Sequence, residues 1–353
     1  MAAVSPSQTP VPSEVFSRKP AVIVSRSAGL VIGLILVAVV AMFSLRFGAH
    51  PISTKQAWSA IFNYDNTVYE ELVVRTMRVP RTVIALGVGA ALGVTGAVMQ
   101  AITRNPLADS SILGVSGGAS FAVVTAIFYL GITSPYQFVW FAFAGALFAA
   151  VLVFTVGASG KDGPTPVKLT LAGVVIASLL SAWTSALVLL DEQTMDVARF
   201  WMAGSVAGRP LDVFWIVSPF LIVGTAACIF MGHQLNVLSM GEETARSLGM
   251  NTSRTRLICG ILVVIITGAA VAAAGPIGFV GLAVPHMVRA VIGPDYRWIL
   301  AYSVIVGAIF LTGADILGRV VLDTGELQVG IVTALLGAQF LIYLARKSNV
   351  AMS

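Results

Sequence analysis

Long apolar runs recur along this chain, separated by short polar connections. A helix needs about 20 mostly apolar residues to cross a bilayer. Runs that meet this cover 28–47, 82–102, 112–130, 137–157, 169–190, 212–232, 257–274, 299–317 and 328–345. A tenth stretch, 276–292 (PIGFVGLAVPHMVRAVI), is shorter and carries two prolines, a histidine and an arginine. Hydropathy leaves open whether it crosses or re-enters; if it crosses, ten helices result and both ends of the chain lie on one side. Residues 1–24 are Ser- and Pro-rich and without periodicity, so they read as a disordered tail. The run from Ala28 to Leu45 starts too late and runs too long for the roughly 7–15-residue core of a signal peptide. It therefore reads as an uncleaved first span.

Composition sharpens this picture. The 353 residues are 57% hydrophobic and 10% charged, with mean hydropathy +0.92. A soluble domain carries about 25% charged residues. A cytoplasmic enzyme, a disordered protein and a nucleic-acid binder are excluded, and the net charge of +5 is spread too thinly to form a basic patch. Lys and Arg favour cytoplasmic loops. Placing the N-terminus inside puts Arg18, Lys19, Arg26, Arg104, Lys161 and Arg254 among the inner positives, and the C-terminal Arg346 and Lys347 beside them. The same topology leaves Arg75, Arg78 and Arg81 clustered at the outer start of the second span, which charge bias alone does not explain. Cys228 and Cys259 are too few for a disulfide scaffold and read as small, reduced packing residues near the inner face. Gly89 and Gly93, at small-xxx-small spacing in the second span, mark a close helix contact.

Candidate chemistry is sparse. Gly160-Lys161 is followed by Asp162 and preceded by Thr155 where a P-loop needs its first glycine, so this chain does not bind ATP by that device. His50, His233 and His286 show no metal-ligand spacing, and neither HExxH nor GxSxG occurs. An enzyme is not expected. Acids are almost absent from the spans, with Asp315 the exception, four residues before Arg319 on the same helix face. That spacing suits a local ion pair; a proton relay is the alternative. The inner loop 233–256 has a helical pattern with Glu242, Glu243 and Arg246 outward and Ala245, Leu248 and Met250 on an apolar side. It reads either as a surface connector or as a place where a cytoplasmic motor docks.

Six blocks in order carry a resemblance to a known family. They are residues 78–121 (RVPRTVIALGVGAALGVTGAVMQAITRNPLADSSILGVSGGASF), 171–178 (LAGVVIAS), 200–209 (FWMAGSVAGR), 235–250 (LNVLSMGEETARSLGM), 275–289 (GPIGFVGLAVPHMVR) and 313–347 (GADILGRVVLDTGELQVGIVTALLGAQFLIYLARK). Together they resemble the permease subunits of type II ATP-binding-cassette importers for iron siderophores, haem and cobalamin. The resemblance implies an all-α membrane protein with about ten transmembrane helices, both termini cytoplasmic. It also implies a permease domain over 25–347 with a coupling loop at 233–256 and a short tail at 348–353. Two permeases, identical or related, would surround a central pathway in the bacterial inner membrane. Expected partners are two cytoplasmic ATPase subunits, which hold the ATP and Mg, an external substrate-binding protein, and membrane lipid. No cofactor is expected on this chain.

The resemblance also implies site residues. Arg78, Arg81 and Arg319 would meet carboxylates on the binding protein. Asn105 and Leu107 would narrow the pathway at its cytoplasmic end, although a helix-ending Asn-Pro turn is the plainer account of the same residues. Gly241, Glu242, Ala245, Arg246, Leu248 and Gly249 would belong to the surface that couples to the ATPase. The segment 163–170 (GPTPVKLT) departs from the small hydroxyl residues common in relatives, so no second gate is assigned there. The leading expectation is an importer of a ferric siderophore, with haem or cobalamin as alternative cargo. An ion-coupled secondary carrier and a non-transporting scaffold are the rivals of other classes.

Overall fold

A computed structural model describes residues 26–48, 51–159, 166–322 and 325–350. The expected tail at 1–24, residues 351–353 of the C-terminal one, and His50 and Lys161 lie outside the described residues. Among those described, the chain is helical without strands. The spans are α1 (Arg26–Arg46), α4 (Val79–Thr103), α5 (Val115–Leu130), α6 (Pro135–Gly157), α7 (Pro166–Leu190), α9 (Leu211–Phe230), α12 (Thr252–Ala274), α13 (Val280–Ile292), α14 (Tyr296–Val320) and α15 (Val329–Val350). Five further helices lie between spans: α2 (Thr54–Phe62), α3 (Tyr69–Val73), α8 (Glu192–Met202), α10 (Gly232–Ser239) and α11 (Glu242–Ser247).

Helix α4 is the axis of the bundle. In its most apolar window 78% of residues are buried, against 17% in α1 and 22% in α7, so α4 packs on protein while α1 and α7 face outward. Its glycines make this possible. A Cβ on Gly89 would overlap the Gly307 carbonyl of α14, and one on Gly96 would overlap the Gly281 carbonyl of α13. Between apolar helices lipid offers no competing penalty, so such close backbone approach supplies the attraction.

The doubtful stretch 276–292 resolves into a left-handed turn at Phe279 (φ 68) and the short helix α13. Its 13 residues reach about 20 Å at 1.5 Å per residue, less than the bilayer core. The expected span 112–130 starts with a 3₁₀ turn at Ser110–Leu113, and Gly114 (φ 70) separates that turn from α5. The single inner helix expected in 233–256 is two helices. Gly241 (φ 116) turns the chain between α10 and α11 in a conformation open to glycine.

Candidate functional sites at the two faces

At the outer face, a π-helical turn at Val74–Arg78 and the helix start at Val79 aim arginines inward from α4. Arg78, Arg81 and Arg319 are 6%, 9% and 3% exposed. Arg319 pairs with Asp315 one turn earlier on α14, through Nη2 and through Nε at 3.0 Å. Arg81 closes on the same carboxylate, with Nη2 at 2.8 Å and Nε at 2.9 Å, and its Nη1 reaches Glu326 at 2.5 Å. Asp315 is fully buried, so its one charge is shared by two guanidiniums.

Further donors of this cluster go to the end of α1. Helix C-termini leave carbonyls without partners and carry partial negative charge. Arg319 donates to the Ser44 carbonyl (2.8 Å), the Ser44 hydroxyl (2.8 Å) and the Phe47 carbonyl (3.2 Å). Arg78 donates to the carbonyls of Leu45 (2.9 Å) and Arg46 (2.7 Å). The arginine cluster thus staples α1 to α4 and α14, and the Ser44–Thr82 hydroxyl bond at 2.7 Å adds to it. None of the three arginines expected to dock a partner is a bare surface charge. The most accessible link is the one to Glu326, whose side chain is 35% exposed.

A cavity of about 400 Å³ opens beside Arg81 and Glu326, lined also by Phe138, Phe200, Trp201 and Arg209. Arg209 donates Nε to the Ser205 carbonyl at 3.3 Å, and burial pushes its guanidinium down to about 10.

At the inner face, α4 ends where Arg104 takes a left-handed conformation (φ 51). The Asn105 side chain then accepts from the Leu107 N–H at 2.9 Å, an Asx turn across Pro106. Leu107 is 55% exposed. About 35 Å of helix α4 separates this turn from Arg81. The turn abuts the segment expected to couple to an ATPase: Arg104 Nη1 lies 4.0 Å from where a Cβ on Gly241 would sit. Glu242 binds Arg246 at 2.6 Å and Arg256 of α12 at 3.1 Å. Burial raises the Glu242 carboxyl, but Arg256, Arg246 and Arg104 outweigh it and hold the group below the ordinary range. Ala245 is buried as expected of an apolar side, whereas Leu248 (65%) and Met240 (67%) project into the open.

Polar residues that sequence reasoning passed over complete this face. Asn236 of α10 donates to Asp295 at 2.7 Å and accepts from the Tyr296 N–H at 2.7 Å. Hydrogen bonds from the Arg297 side chain and from Asn236 pull the Asp295 carboxyl down to about 2. Gln100 of α4 binds Arg289 of α13 at 2.6 Å. Gln100 carried a readable signal, the one amide in the apolar run of the second span; its partner 189 residues away did not.

The sequence profile of the FecCD transport family matches residues 35–347. An Fe(3+)-citrate import system permease protein, YfmD of Bacillus subtilis strain 168, is 42% identical over 325 residues, 92% of this chain and 96% of the relative. The ferric enterobactin transport system permease protein FepD of Escherichia coli K12 is 40% identical over 318 residues, 90% and 95% of the two chains. A solved ABC transporter assigned to the metal-chelate type, in an inward-facing conformation, superposes with a TM-score of 0.80 at 29% identity, covering 92% of this chain and all of that one.

Proposed function

The chain belongs to the FecCD transport family and is a multi-pass protein of the inner membrane, and we propose that it is the permease of an ATP-driven importer that takes a ferric chelate from an external binding protein to the cytoplasm. In this reading two such permeases line the pathway, and two ATPase subunits sit beneath them. The observation that carries it is the inner surface of α10–α11. Its charges are fixed by Glu242, Arg246 and Arg256 while Leu248 and Met240 stand exposed beside them. A rigid short helix with apolar residues facing water suits a cleft in a second protein, and it lies against the turn that bears Asn105 and Leu107.

Docking at the outer face follows from the same reading. An acidic side chain of the binding protein would take the place of Glu326 on Arg81, while Asp315 stays with Arg319. Arg78 and Arg319 would then serve docking by holding α1 and the mouth in place.

The test is reconstitution in proteoliposomes with the ATPase subunit and binding protein, following uptake of ⁵⁵Fe-citrate. The reading expects uptake that requires ATP and binding protein. Uptake driven by a proton or sodium gradient without ATP would replace it with a secondary carrier. Cysteines placed singly at 241–249 should cross-link to the ATPase, and failure at every position would remove the coupling assignment.

A further inference from the structure

Helix α13 is continuous, but its own sequence breaks one of its hydrogen bonds. Pro285 has no N–H, so the carbonyl of Gly281, four residues earlier, lacks its helical donor. A buried carbonyl left in that state costs free energy unless something else donates to it. Here the donor comes from another helix. Gln100 of α4, 3% exposed, points Nε2 at the carbonyls of Gly281 and Leu282, both at 3.4 Å. The contact is possible because Gly96, one turn earlier on α4, lets the two backbones touch at Gly281.

The other end of the same amide is also occupied. Its Oε1 accepts from Arg289 Nη1 at 2.6 Å. Arg289 Nη2 donates to the Tyr296 hydroxyl at 3.2 Å, and its guanidinium lies 5.6 Å from the Tyr296 ring centre. Tyr296 in turn binds Asn236 of α10 through its backbone N–H. An unbroken polar chain therefore runs from α10, through the α13–α14 turn, to the last turn of α4, five residues before Asn105.

We propose that Gln100 is a positioning residue that clasps the proline break of α13 and, with Arg289, Tyr296 and Asn236, joins the motor-facing helix α10 to the end of α4 that bears Asn105 and Leu107. A displacement of α10 then reaches the Asn105–Leu107 turn as the motion of one clamped body. Cut at Gln100, α10 keeps only its direct packing on α4 and the approach of Arg104 to Gly241, so the turn follows less closely. This rests on the coupling and gating roles proposed above.

The experiment uses the full permease–ATPase complex with binding protein, carrying Leu107→Cys as a reporter. Both native cysteines are buried. Maleimide labelling of the reporter is compared with and without ATP plus vanadate, alongside ATP hydrolysis. In Gln100→Leu the nucleotide-dependent change in labelling should shrink by about 2- to 30-fold, the span of coupling that single residues carry. Assembly, docking and basal hydrolysis should remain. Arg289→Met should reproduce the effect, and the double variant should be no worse than either single one. Gln100→Glu, which keeps a partner for Arg289 but cannot donate to the carbonyls, should fall between. An unchanged response in Gln100→Leu, or additive losses in the double variant, overturns the clasp. If the reporter fails to respond even with Gln100 intact, the gate and coupling assignments fail and the clasp fails with them.

Discussion

Replacing Asp315 by Asn tests the outer cluster at its centre. The carboxylate is fully buried and is, among the described residues, the one acid bonded to Arg319, whereas Arg81 also holds Glu326. Removing one partner of a buried pair costs about 3–5 kcal/mol, because the other charge stays desolvated and unpaired. Arg319 is that stranded charge at 3% exposure, so a loss within this range is expected. It corresponds to roughly two to nearly four decades in the folded-to-unfolded ratio. Adding Arg319→Met removes the stranded charge and should restore part of the loss. Full recovery is not expected, because Arg319 also makes three bonds to Ser44 and Phe47 at the end of α1. Hydrogen bonds from a charged donor contribute about 1.5–3 kcal/mol each. Unfolding in mixed micelles, read by pulse proteolysis for the single and double variants, measures the cycle. A single-variant loss below about 1 kcal/mol, or simple additivity of the two losses, would refute the argument. The fraction of the Asp315→Asn variant that does fold should retain ATP-dependent uptake, an outcome that a proton relay through this carboxylate forbids.

Gly96→Val should destabilise the bundle by about 1–3 kcal/mol, since its Cβ falls on the Gly281 carbonyl; a thermal midpoint equal to wild type would contradict the packing. Leu248→Glu should reduce copurification of the ATPase while leaving the unfolding midpoint of the isolated permease unchanged, because that side chain is 65% exposed. Glu326→Gln should strengthen binding-protein docking by up to about fivefold, the worth of a part-exposed pair no longer to be displaced; weaker docking would show Glu326 to be structural. The Asp295 carboxyl is lowered from 3.8 to about 2, so its contribution is fully present above the unfolded value and is lost as pH falls through the folded one. The midpoint difference between wild type and Asp295→Asn should hold steady above about pH 5 and shrink between pH 3.8 and about 2.

The spans other than α13 were legible because each is a sustained apolar run, a signal that survives without knowledge of neighbours. Where the run was interrupted, legibility stopped. Helix α8 alternates Glu192, Asp196 and Arg199 with Val197, Phe200 and Trp201, and it is too short and polar to read as a span although Trp201 is buried in the core. Helix α2 had a local signature, the capping box of Ser53 and Gln56, but no apolar run to draw attention to it. The division of 233–256 into α10 and α11 turns on the left-handed geometry of Gly241, a backbone fact that helical periodicity alone does not encode.

Charged and polar residues were harder to read than apolar ones, for a physical reason. An apolar residue in a span needs only burial, which any neighbour supplies, but a buried guanidinium needs particular acceptors. Arg78 and Arg319 find theirs in the carbonyls at the end of α1, groups that every helix has and no side-chain pattern advertises. From sequence these arginines stand out as excess outer charge, and their docking role is what the family resemblance implies; neither advertises the carbonyls of an orphaned helix end as acceptors. The i,i+4 pair of Asp315 and Arg319 was readable because helix geometry fixes it locally. Gln100 and Arg289 were not, since their meeting depends on Gly96 and on the break at Pro285 together. The two kinds of arginine differ accordingly in what they can do. Those whose donors are consumed by backbone carbonyls fix the frame at the outer mouth. Arg81 has one bond to a part-exposed glutamate, and it is there that the proposed docking would exchange one carboxylate for another without stranding a charge in the bundle.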